Sequence, residues 1–238
     1  MLFRRRMVVD PGRSLARPDV HTSRVPWMVG LLLMAMLLAG CEPVQSLNPF
    51  YEEKDAIFDS SLAGNWKVKV DSEDAQMELS FAASPKDSDG YEVVLTTHTD
   101  KPDEDKPQEG SVTFTGHLFQ VGDAKFLDLY PVKYKAKVGL RTISFDAPGN
   151  LFGVSTHTVY LVRQEGSHVQ LGFLDDDYVK AFVEKNDLPL GVRGSKKFVL
   201  CGKTEDLKAS LLIRAEKERL LEPDGIELTR LEAVARKE

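Results

Sequence analysis

Two cysteines in 238 residues, Cys41 and Cys201, permit at most one disulfide. A cross-linked framework is therefore excluded, and stability must come from packing. Histidine is scarce as well. Beyond residue 40 only His98, His117, His157 and His168 occur, none in the His-x-His or i, i+4 spacing of a metal site. A metal is not expected, and no cofactor signature is present. Basic charge is in deficit: 31 Lys and Arg stand against 37 Asp and Glu. Six of the basic and two of the acidic residues lie in the first 40 positions, so the remainder carries a formal charge of −10. No basic patch with interleaved aromatics appears, and such a surface repels nucleic acid. No Gly-x-Ser-x-Gly elbow, phosphate-binding loop or dinucleotide fingerprint is present, and the expectation is a non-enzymatic protein.

What is present begins with a leader. Arg4, Arg5, Arg6, Arg13, Arg17 and Arg24 make its first part basic. Trp27 to Ala39 is almost wholly apolar, yet shorter than the roughly 20 residues a membrane-spanning helix needs. Small residues then lead to a cysteine in Leu38-Ala39-Gly40-Cys41. The three-part pattern is that of an export signal over residues 1–40. The last four residues resemble the lipobox of bacterial lipoproteins. That resemblance implies acylation of Cys41, cleavage before it and anchoring in a membrane of the cell envelope. Several acyl chains make such an anchor stable, because each buried methylene contributes only ~0.8 kcal/mol. In Gram-negative members of the family, an Asp after the cysteine signals retention in the inner membrane. Here Glu42 follows, which implies the outer membrane. An acylated Cys41 leaves Cys201 unpaired, expected as a buried thiol.

Residues 41–60 read as a tether, with Pro43, Asn48 and Pro49 breaking regular structure and Phe50 and Tyr51 as residues that could dock it onto the domain. From Gly64 onward the pattern has period two, as Trp66, Val68 and Val70 alternate with Lys67 and Lys69. Further strands are expected over 76–82, 91–97, 111–120, 124–130, 156–163 and 168–174, with a short one at 141–145. Ser88-Asp89-Gly90, Gly122-Asp123 and Glu165-Gly166-Ser167 are hairpin turns. Acidic, proline-containing Asp100 to Gly110 reads as a solvated loop. Tyr178, Val179, Phe182 and Val183 share one helical face near 175–186, with Asp175, Asp176 and Asp177 at its positive end. Those three carboxylates could also hold calcium, but a helix terminus explains them more simply. After a strand over 196–200, Thr204 is expected to cap a second helix near 204–218. A last strand, 226–231, could pair with an early one and tie the ends together. The expectation for 61–238 is a mainly β, antiparallel barrel or sandwich with two C-terminal helices.

Gly64-Asn65-Trp66 resembles the Gly-x-Trp of lipocalins. The resemblance implies a glycine that lets the chain enter a barrel and a tryptophan that plugs its closed end. It also implies a late basic residue over the indole, for which Arg230 is the candidate. Ser46 to Asp59 and Phe126 to Pro131 look like segments of uncharacterised bacterial lipoproteins, which agrees with an envelope location. Trp66, Phe114, Phe119 and Tyr130 are candidates for lining a ligand site. The expected function is binding of an apolar or amphipathic small molecule, or of a partner protein, at the membrane surface. The alternatives are a structural or assembly component of the envelope and, less favoured, a hydrolase built on converging carboxylates.

Overall fold

The period-two stretches become strands that bend round and meet. The computed structural model describes residues 43–70, 75–99, 109–138, 141–146, 155–188, 190–193, 198–215, 217, 220–221 and 225–231. The leader, Cys41 and the acidic stretch 100–108 lie outside the described residues. Eight antiparallel strands form the barrel: β3 (Gly64–Val68), β4 (Ala75–Ala83), β5 (Gly90–Thr99), β6 (Glu109–Val121), β7 (Ala124–Val138), β9 (His157–Glu165), β10 (His168–Phe173) and β13 (Ile226–Arg230). Each pairs with the next in this order, and β13 returns to β3 through Leu228↔Val68, Thr229↔Lys67 and Arg230↔Trp66. The expected tie between the last strand and an early one therefore closes the barrel.

Alternation sets what faces inward. Trp66 and Val68 on β3, Met77, Leu79 and Phe81 on β4, and Tyr91, Val93 and Leu95 on β5 are buried in one inner cluster. Exposed Lys67, Glu78 and Glu92 lie between them. At Gly116 a side chain would press on two inner residues, 2.9 Å from Val93 Cγ2 and 3.1 Å from Leu129 Cδ2, so a small residue admits both. Strands β6, β7 and β9 differ, because both of their faces are apolar. Leu118, Leu127 and Tyr160 join the inner cluster, whereas Phe119, Phe126 and Leu161 join a second cluster on the outside.

Strand β7 runs past Pro131, where the sequence suggested an end. The register with β6 shifts there, so that Phe114 opposes Pro131 and Thr113 opposes Lys133. A proline lacks an N–H to donate, and a bulge is where a ladder tolerates that loss. Beyond the bulge, β7 pairs with β8 (Arg141–Asp146) instead of β9.

The second cluster explains the outer layer. Residues 43–60 were expected as a tether, yet over the described residues they lie on the barrel. β1 (Gln45–Ser46) is held between β9 and β12 (Phe198–Leu200), and β2 (Ala56–Ile57) pairs with β6. Val44 and Phe50 are almost wholly buried. β12 forms a small hairpin with β11 (Gly191–Arg193). Helix α1 (Asp176–Lys185) buries Val179, Phe182 and Val183 in the same cluster, while Tyr178 points to solvent. Asp175 caps it by accepting from the Tyr178 N–H at 2.9 Å. Helix α2 (Thr204–Ser210) is shorter than expected because the chain tightens into a 3-10 turn over Leu212–Arg214. Thr204 is its first residue rather than its cap, and its hydroxyl donates to the Pro49 carbonyl at 2.8 Å. Docking of the N-terminal segment has claimed that group. Cys201 is half-buried rather than buried.

One end of the barrel is sealed by Trp66. Gly64 has φ of 132°, a conformation suited to glycine, and an added Cβ there would lie 3.1 Å from the Arg230 guanidinium. That guanidinium stands 5.1 Å from the Trp66 ring centroid and donates to the Ala63 carbonyl. The indole N–H donates to the Leu62 carbonyl at 2.9 Å. Buried Tyr91 accepts from the Asp59 N–H at 2.7 Å and donates to its carbonyl at 2.9 Å. Both aromatic polar groups are thus satisfied by the segment that crosses the barrel base. Trp66→Ala should lower unfolding stability in denaturant by ~3–5 kcal/mol, and a loss below about 1 kcal/mol would mean that the indole is not a plug.

Candidate functional site

A groove of about 570 Å3 lies at the sealed end, around the β6–β7 hairpin. Its floor is Leu62, Leu118, Phe126 and Leu161, contributed by the base segment, β6, β7 and β9. Leu212 and Ile213, from the 3-10 turn after α2, make one wall. The β6–β7 hairpin around Gly122, with φ of 60°, makes another. Asp59, Asp123, Lys125, Arg163 and Gln164 supply polar groups around the apolar floor. Asp59 is firmly placed. It accepts from Lys125 Nζ at 2.7 Å and from Ser61 Oγ at 2.6 Å, and these bonds hold its carboxyl down at about 2. The groove thus joins an apolar floor to charged walls of both signs, and its volume falls within the usual range for small-molecule sites.

The four expected lining residues do not share a wall. Trp66 and Phe114 belong to the inner cluster, while Phe119 belongs to the outer one. Tyr130 stands on the outer face too, its ring 4.7 Å from that of His157. None of the four lines the groove. The reason lies in strands that are apolar on both sides: composition there shows burial but does not show on which side.

A second group sits on the outer face of β6, β7 and β9. Asp128 is 1% exposed. Its Oδ2 accepts the Phe50 N–H at 2.8 Å, and its Oδ1 lies 2.7 Å from His157 Nδ1. A carboxylate acceptor makes Nδ1 the protonated nitrogen. His117 is the register partner of Asp128 on β6, and its Nε2 lies 2.6 Å from Asp87 Oδ2. Tyr51 stacks on His117 with centroids 4.4 Å apart. Burial, then the nearby Asp128 and Asp87, push the Tyr51 phenol far above its ordinary range. Sequence reasoning missed Asp128. Its signal was a lone carboxylate in Phe126-Leu127-Asp128-Leu129-Tyr130, where neighbours on both faces are apolar.

These histidines engage carboxylates on separate elements, and among the described residues no group of three ligands could hold a metal ion. Ser46 opposes His157 in register but is fully buried, with its oxygen accepting from the Asn48 N–H at 3.1 Å. Asp128 thus latches the N-terminal segment to β7 through the Phe50 N–H, and its other oxygen holds the His157 ring. Among the described residues no helix is long and apolar enough to cross a membrane. Comparison with protein-family models, curated proteins and solved structures gave no match.

Removing the latch should free the segment that it holds. Asp128→Ala should cost about 3 kcal/mol of stability, because a half-buried imidazole and a buried N–H lose their acceptor. Hydrogen exchange at the Phe50 amide should accelerate with it. Unchanged protection at that amide would contradict the latch.

Proposed function

We propose that this protein is a non-enzymatic lipoprotein of the bacterial envelope that binds an amphipathic small molecule in the groove at its sealed end. The observation that carries the binding reading is the groove itself, where half-buried Val121, Ala124 and Val162 and exposed Ile213 suit a hydrocarbon body and the charged walls suit a polar head. The anchor reading draws on Leu38-Ala39-Gly40-Cys41, with acylation at Cys41 and Glu42 directing the protein to the outer membrane. The arrangement of Gly64, Trp66 and Arg230 supports a lipocalin-like barrel. The proposed groove lies at the plugged end, where Trp66, Phe81 and Tyr91 fill the base of the lumen. The packed base also favours a second reading, a structural component that docks another envelope protein.

Cys41→Ser should abolish palmitate labelling and release the protein from membranes; equal labelling of both forms would contradict the anchor. That soluble form should bind a dansylated undecanoic acid saturably. Ile213→Asp, at a position 66% exposed and therefore tolerant of charge, should weaken binding about tenfold, the loss of roughly 1.4 kcal/mol of apolar contact. Absence of saturable binding, or indifference to the substitution, would rule out the groove and favour the structural reading.

A further inference from the structure

The chain is fixed to the barrel from the first residue described. Pro43 forms a β-bridge with Asp175, and the Val44 N–H donates to the Leu174 carbonyl at 3.0 Å. β1 follows between two strands, and Phe50 ends on the Asp128 latch. Cys41 precedes Pro43 by two residues. At no more than ~3.6 Å per residue, its Cα lies within about 7 Å of the Pro43 Cα. On the reading that Cys41 carries acyl chains, on which this inference rests, there is no length of polypeptide left to act as a spacer.

The position of Pro43 fixes which end of the barrel meets the lipid. Strand β10 starts at His168, beside the Gly166 turn of the sealed end, and finishes at Phe173 at the opposite end, the mouth. Leu174 and Asp175 follow directly. β1 pairs with His157 and Thr158, the first residues of β9, which also begin at the mouth. The groove lies at the other end. β9 has nine residues, about 3.3 Å each, so even a strand tilted by roughly 40° separates the two ends by about 20 Å.

We infer that the acylated Cys41 seats the mouth of the barrel directly on the bilayer, with the start of α1 at headgroup level, and turns the groove away from the membrane. Tyr178 stands 51% exposed in the first turn of α1, whose cap is the residue that Pro43 bridges. An aromatic ring with a polar tip suits the headgroup zone. Asp175, Asp176 and Asp177 offer no attraction to anionic lipid, so the seat is set by the covalent anchor and its short reach rather than by charge. A ligand of the groove is then exchanged with the aqueous compartment instead of being drawn from the bilayer beneath.

Depth-dependent quenching tests the orientation. Full-length acylated protein with Cys201→Ser is reconstituted in phosphatidylcholine vesicles and labelled with a fluorophore at either Tyr178→Cys or Asp123→Cys. Lipids carrying a headgroup nitroxide should remove most of the emission at position 178 and little at position 123. A flexible Gly-Ser spacer of about 12 residues between Glu42 and Pro43, with a reach of roughly 20 Å, should abolish the difference. Equal quenching at the two positions, or a difference that survives the spacer, would overturn the inference. Failure of the protein to float with the vesicles would instead overturn the lipid anchor.

Discussion

A barrel exists only if its last strand finds its first, and here that closure depends on one short strand. β13 has five residues and satisfies β10 on one side and β3 on the other. Arg230, at its end, lies over Trp66 and hydrogen-bonds the carbonyl of Ala63. Closure and plugging are thereby one event. The strand that pairs the open edges of β3 and β10 also brings the cation that covers the indole. The base segment from Asp59 to Leu62 completes it, because the buried Trp66 and Tyr91 would otherwise lack partners for their polar groups.

The closed barrel would still expose an apolar outer face on β6, β7 and β9. Two stretches far apart in sequence cover it: the N-terminal segment and the helical region that begins at Asp175. Asp128 is the polar point in that interface, and its two oxygens bind the Phe50 N–H of the N-terminal segment and the His157 ring of neighbouring β9. Lys208 of α2 adds bonds to Glu52 and Asp55, so the helices hold the segment from above as the sheet holds it from below. The groove follows from this layering. It opens where the outer layer stops short of the β6–β7 hairpin and Ile213 overhangs the gap.

Much of this was legible in the sequence. Strand β3 alternates strictly because one face is wet, and the Ser88-Asp89-Gly90 turn marks the hairpin between β4 and β5, so their approximate extents could be read. The roles of Trp66 and Arg230 followed from a short motif with a physical reason behind it. The remainder depended on contacts that local pattern does not encode. Phe119 and Tyr130 stand on doubly covered strands, where parity shows two apolar faces and does not distinguish lumen from outer layer. Pro131 suggested a strand end, yet a bulge carried β7 onward. Residues 43–60 have the composition of a spacer, and their docking depends on Asp128, 78 positions from Phe50. The groove was hidden for the same reason, since its lining comes from four separate stretches.

The proposed fatty modification at Cys41 would tie the fold to its proposed place of work. The mass of the N-terminal peptide of protein extracted from cell membranes tests it most directly. The account predicts a peptide that begins at Cys41 and carries a diacylglyceryl group together with an amide-linked acyl chain. An unmodified peptide, or one beginning at any other residue, would contradict it.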